Sequence, residues 1–266
     1  MIRTVDFNVI LFEALQLAGQ DRSNIQPSTF AQFRDFANSR MRFMWDAFEW
    51  IEAVRVQEVT TAAQSDSTVY FVPPAGAEEL LRVFVGNPLV SPNVKEVSFT
   101  IYVKEAGTAP NIYPERRVAL PSGFSASDSL YLVYKIEKPT FFGDIYSSTQ
   151  AYSTNSQVYF DIDGNRGSAS PAPGKRCKAN FYTALEDTTI GQSPFTHPEL
   201  WKMVEIPYFA ASYLPRALHA DWLRSEMQIE LARMVESDAE YALTEEIGKV
   251  TKTQGQAQRL NMTNIY

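Results

Sequence analysis

Hydrophobic spacing divides the chain into three stretches. Phe7, Ile10, Leu11, Ala14, Leu17 and Ala18 recur at steps of three and four, which predicts a helix capped by Asp6 and stopped at Gly19. A polar linker covers residues 20–26. Pro27-Ser28-Thr29 then opens a second helix, with Thr29 and Gln32 at capping-box spacing. Phe30, Phe33, Ala37, Met41, Met44 and Phe48 form its apolar stripe; Arg34, Arg40 and Arg42 lie off it, and Trp45 and Trp50 widen the apolar side.

From residue 54 the period falls to two, as Val54 and Val56 alternate with Arg55 and Gln57. Strands are expected near residues 69–72, 80–85, 97–104, 117–120, 130–137 and 158–162, separated by Pro- and Gly-rich turns. Short punctuated strands of this kind predict an antiparallel β-sandwich or barrel-like unit. Residues 139–157 and 164–175 read as long loops. Helical spacing returns at Thr196-His197-Pro198-Glu199, a second capping box, and continues through Leu200, Trp201, Val204, Tyr208, Ala210 and Ala211. Pro207 is expected to kink this helix, and Pro215 to start a last helix over residues 216–247. Leu223, Met227, Leu231 and Met234 should line one side of it.

The resulting expectation is an α+β fold. Residues 1–56 and 197–248 form one discontinuous helical bundle built from both chain ends, residues 57–196 an inserted β-rich domain, and residues 249–266 an extended C-terminal tail. All four tryptophans fall in the parts read as helical, which favours a single core for them. The tail ends in Arg259, Leu260, Met262, Ile265 and Tyr266; too polar to form a core, it suits ordering onto a partner.

Composition narrows the function. With 45% hydrophobic and 21% charged residues, the 266-residue chain has the make-up of a soluble globular protein. It has no apolar run of the roughly 20 residues that span a bilayer, and no signal-type cleavage site near its start. Cys177 is its one cysteine, which excludes an intrachain disulfide. A net charge of −7 argues against a basic nucleic-acid-binding face. Residues 220–248 alone carry a net of −6, and Lys249, Lys252 and Arg259 then make the end of the chain mildly basic. Acids such as Glu226, Glu230 and Glu236 repel one another at helical spacings, so such a concentration invites a use.

No catalytic constellation emerges, and the chain is expected not to be an enzyme. His197 and His219 lack the spacing of a metal pair. Cys177, flanked by Lys175, Arg176 and Lys178, has no histidine nearby in sequence. Asp161-Ile162-Asp163-Gly164-Asn165 begins like a calcium loop, but Arg166 and Ala172 stand where that loop needs glycine and glutamate. There is no phosphate-binding glycine loop and no serine elbow. Neither a metal nor a cofactor is expected.

The two helical ends resemble the head-to-tail adaptor proteins of short-tailed phages, the tail tubular protein A or head-completion family. The residues that carry the resemblance are 10–19, then Phe33-Arg34-Asp35-Phe36-Ala37-Asn38-Ser39-Arg40 leading into Trp45 and Trp50, and His197-Pro198-Glu199-Leu200-Trp201 before the closing helices. The resemblance implies a structural virion protein made in the host cytoplasm and placed at the head–tail junction. It would form a ring, a dodecamer, bound to the portal protein and to tail or nozzle proteins. Double-stranded DNA would pass through without sequence-specific binding, and no membrane is involved. The C-terminal tail would dock on the portal. Glu226, Glu230 and Glu236 would line the channel, or pair with Arg34, Arg40 and Arg42 of a neighbouring subunit. Two alternatives stay open: a tail terminator or tail-tube ring component, and a glycan-binding module or surface-glycan enzyme.

Overall fold

The computed structural model describes residues 3–21, 25–63, 68–91, 93–108, 111–161 and 179–262, without the side chains of 108, 111, 112 and 253–262. In chain order the elements are β1 (Thr4–Val5), α1 (Phe7–Leu17), α2 (Pro27–Asp46), β2 (Val54–Thr60), β3 (Ala62–Ala63), β4 (Val69–Phe71), β5 (Ala77–Val85), β6 (Lys95–Glu96), β7 (Thr100–Thr108), β8 (Asn111–Ala119), β9 (Ser129–Ile136), β10 (Asp144–Ile145), β11 (Gln157–Phe160), β12 (Asn180–Ala184), β13 (Trp201–Met203), β14 (Ile206–Pro207), α3 (Ala210–Ser225) and α4 (Ile229–Met262). The chain is α+β and divides into two compact units: residues 1–48 with 139–266, and residues 49–138. Residues 139–196 therefore belong with the helices and not with the β insert. The first boundary lies after residue 48 rather than 56.

The unit of residues 49–138 holds two antiparallel four-stranded sheets, ordered β2-β9-β5-β6 and β3-β4-β8-β7. Strand alternation explains its core. Leu130, Leu132 and Tyr134 of β9 point to one side and meet Leu80 and Val83 of β5; Val69, Phe71 and Val118 of the second sheet join the same apolar cluster. β7 and β8 pair without interruption from Thr100↔Ala119 to Thr108↔Asn111. β4 meets β8 only at Val118 and Ala119. Residues 102–108 and 111–117 thus form a two-stranded ribbon on which no third strand lies among the described residues.

The unit of both chain ends combines a sheet with helices. Its strand order is β10-β11-β12-β13, with β10–β11 parallel and the other pairs antiparallel. β1 pairs with β14, so Thr4 and Val5 are tied to Pro207 and Ile206. Helices α1 and α2 both pack on α3, and α3 packs on α4. The core is aromatic. Phe181 of β12 has Phe7 at 4.8 Å, Phe141 at 5.1 Å, Tyr159 at 5.4 Å and Phe30 at 6.1 Å between ring centroids. Phe33 stacks on Trp222 at 5.4 Å, and Trp45 lies 6.2 Å from Phe209. Phe33, Met41 and Trp45 are fully buried, as expected for α2's inner face, whereas Trp222 is half-buried.

Several local expectations are corrected. Thr196-His197-Pro198-Glu199 opens no α-helix: a short 3-10 turn at Pro198–Leu200 leads into β13, where Trp201 is buried and Lys202 exposed, a period of two. Pro207 lies in β14 rather than in a helix, and Pro215 is buried inside α3 rather than starting a helix. The closing segment is two helices. The N–H of Gln228 reaches the carbonyl of Leu223, and that of Met227 the carbonyl of Arg224, with Met227 at φ 61°. That is a helix stop of the kind glycine usually makes, as Gly19 does after α1 at φ 68°. The inner stripe of α4 is Ala232, Ala239, Ala242 and Leu243, while Met227, Leu231 and Met234 are exposed. Asp6 occupies the cap position of α1 as expected but makes no side-chain cap bond, and Gln26, not Thr29, occupies the cap position of α2. Residues 249–262 continue α4 as helix, so this part of the expected tail is not extended. Residues 139–157, read as a loop, contain β10. Trp50 falls in the second unit, just beyond α2.

Candidate assembly surface

The polar residues of the 33–40 motif turn inward. Asn38 uses its amide as a strand would use a peptide: its Nδ2 donates to the carbonyl of Phe141, and its Oδ1 accepts from the Phe141 N–H at 2.7 Å. Arg34 donates to the carbonyl of Gly143 at 3.2 Å and to Asp144 at 2.5 Å. From the other side Gln157 accepts from the N–H groups of Phe142 and Gly143 and donates to the carbonyl of Thr140. A Cβ at Gly143 would lie 2.3 Å from the Gln157 carbonyl oxygen, so only glycine fits between these clamps. Residues 140–144 are held between α2 and β11, and this holds the aromatic Phe141 in the core.

Arg40 is the hub of a second network. Its guanidinium makes a paired contact with Asp221 of α3 at 2.7 and 2.5 Å, and reaches Glu236 of α4 at 2.9 Å. Arg224 bonds the same two carboxylates. Two cations and two anions, only 15–35% exposed, thereby tie three helices together. A fork-shaped guanidinium suits this bridging role better than an ammonium. Hydrogen bonds and charge from Asp221 and Glu236 hold Arg40 well above its ordinary pKa, against the opposing effect of burial. Burial pushes the Glu236 carboxyl up, yet hydrogen bonds from Arg224 and Arg40 outweigh it and the net shift is downward.

These pairs correct the charge assignment. Glu236 and Arg40 meet within one chain, and Arg34 is held by Asp144, so these three are not spare charges for a channel or a neighbour. Arg42 stays on the surface, 4.0 Å from Asp46, an exposed pair of little energetic weight. Glu226 and Glu230 are exposed, with Glu230 3.4 Å from Arg233. Arg259, Leu260 and Met262 lie on the last turns of α4. Ile265 and Tyr266 fall outside the described residues, as do Cys177 and residues 162–165.

What sequence reading missed is the outer face of α4. Leu231, Met234 and Tyr241 are 45%, 67% and 67% exposed and recur at helical spacing, with Asp238 and Glu245 among them. The spacing of Leu231 and Met234 suggests an inner stripe, and Tyr241 lies outside that expectation; the alanines that occupy the inner side carry a weaker signal. Ser212, near the start of α3, bonds Glu246, and the helix runs on from there to Met262. At 1.5 Å per residue this extension is about 24 Å long.

His197 shares a hydrogen bond with Thr196, and burial lowers the pKa of His219. Among the described residues no group of three or more His, Cys, Asp or Glu can hold a metal ion, and no helix is long and apolar enough to cross a membrane. No protein-family model matches the chain, and no curated protein sequence matches it.

Proposed function

We propose that this chain is a non-catalytic structural virion protein, a head-to-tail adaptor whose copies form a ring, a dodecamer, between portal and tail. The observation that carries the reading is α4: a 34-residue helix that packs on α3 and runs on for sixteen residues beyond Glu246, the residue bonded to Ser212 near the start of α3. Such an extension needs a partner, because an isolated helix of this length is marginal in water. In the adaptor reading its end, from Arg259 through Leu260, Met262, Ile265 and Tyr266, docks on the portal. The exposed Leu231, Met234 and Tyr241 face a neighbouring copy, and the β unit meets tail or nozzle proteins. Glu226 and Glu230 remain available to border a channel through which DNA slides without sticking. The clamp at Arg40 supports this reading, since through Glu236 it ties the motif of α2 to α4.

The test is co-expression with a portal protein of the same phage, for the full chain and for a chain ending at residue 248. The full chain should give rings on portal in electron micrographs. The shortened chain should stay folded and fail to dock. A full chain that remains a monomer beside portal, and binds glycan instead, would overturn the proposal.

A further inference from the structure

The outer edge of β7 carries the observations furthest. Two residues of chain connect Thr108 to Asn111, which face each other. In an antiparallel hairpin of that length the facing pair beside the connection is hydrogen-bonded, and bonded pairs alternate from there. Thr100, Tyr102, Lys104 and Ala106 therefore bond to β8. Ile101, Val103, Glu105 and Gly107 turn their N–H and C=O groups away from it. Pro114 confirms the parity: it faces Glu105, a non-bonded position where a missing N–H costs the ladder nothing.

The two edges of the ribbon differ. The β8 edge carries Pro114, and at its base Arg116 donates to the carbonyls of Ala77 and Glu78 at 3.2 and 3.0 Å. The β7 edge has no proline, and no strand lies beyond it among the described residues. Two of its outward positions are β-branched and apolar, Ile101 at 43% and Val103 at 67% exposure. Edges of this kind pair with other chains unless they are blunted; here the β8 edge is blunted by proline, while the charges of β7, Lys104 and Glu105, lie on the tip side of Ile101 and Val103.

We infer that the β7 edge docks on β7 of a second copy of this chain, antiparallel, about a two-fold axis at Tyr102. Side chains select the register. Centred on Tyr102, the pairing sets Ile101 against Val103 as bonded pairs on both sides of the axis, with Lys104 opposite Thr100. Centred on Val103, it opposes Ile101 to Glu105. Centred on Lys104, it sets that ammonium against its own copy, which is destabilising. Of these three registers, only the first gives both Ile101 and Val103 apolar partners and leaves no like charges facing. A two-fold contact closes at two copies. It is therefore separate from a ring contact, and its failure leaves the adaptor reading standing.

The experiment uses the full chain with Cys177→Ser. Facing non-bonded residues have Cα atoms about 4.5 Å apart, within disulfide range. Tyr102→Cys should therefore give a disulfide-linked dimer on mild oxidation, and Lys104→Cys should not. In sedimentation of the unlinked chain, Val103→Pro removes an outward N–H and spares the β7–β8 ladder, while Val103→Lys keeps the backbone and charges the contact. Each should weaken the dimer by about tenfold or more. A chain that is monomeric at every concentration would overturn the inference. So would a dimer indifferent to both Val103 variants, or linkage at 104 as efficient as at 102.

Discussion

The two units solve the same problem with different materials. The β unit is one continuous stretch, residues 49–138, and its core is mainly aliphatic: Leu80, Val83, Leu130, Leu132 and Val118. The other unit joins residues 1–48 to residues 139–266, and its core is built of rings: Phe7, Phe30, Phe141, Tyr159 and Phe181. Aliphatic side chains on alternating strands make a core from neighbours in sequence. Rings offer large contact areas at few positions, so a handful of residues can join segments that lie far apart along the chain. Polar clamps then fix what the rings bring together, and they occur where the distant segments meet. Asn38 and Arg34 hold residues 141–144, and Arg40 holds Asp221 and Glu236.

The sharpest way to break this comparison is Phe181→Ala. It removes the ring shared by four others and should cost about 3–5 kcal/mol. Calorimetry should show the transition of the two-ended unit falling while that of residues 49–138 stays in place. If both fall together, the units unfold as one and the contrast is void. A smaller effect tests the clamps. Because Glu236 is depressed when folded, its stabilisation is present above its unfolded value, 4.5, and is lost as the pH falls through the folded value. Glu236→Gln should cost about 1–2 kcal/mol at neutral pH. In denaturant titrations across pH, the gap to the parent chain should close below pH 4.5; a gap that stays constant would deny the charge its role. The smallest effect is expected at Met234→Gln. An exposed position should shift stability by no more than about 0.5 kcal/mol. The same change should reduce assembly on portal if the α4 stripe meets a neighbour.

How far these features can be read from sequence depends on what each signal measures. The stripes of α1 and α2 are read correctly, because Phe7, Ile10, Leu11, Phe30, Phe33 and Met41 are large and recur at helical spacing. The alternation of β9 marks its inward side. Prolines mislead when only local rules are applied. Pro114 hides the ribbon, since a proline argues against a strand, yet it sits where the missing N–H points outward. Pro215 is taken for a helix start and is buried inside α3. Met227 conceals the α3–α4 turn, because a left-handed residue that is not glycine leaves no mark in composition. The clamp partners of Arg34, Asn38 and Arg40 lie more than 100 residues away, and no local pattern connects them.

The pairing of β1 with β14 has a consequence for synthesis. Thr4 and Val5 leave the ribosome about 200 residues before their partners Pro207 and Ile206. At about 5–20 residues per second, that is a wait of roughly 10–40 s. Helix α1 is largely apolar and must spend this interval without β12 and α3, the surfaces it is built to meet. Residues 49–138 emerge whole in the middle of the interval and hold all the strands of their own sheets. The β unit can therefore be complete while the nascent chain still exposes helix α1, so the period of greatest exposure to chaperones falls on that helix.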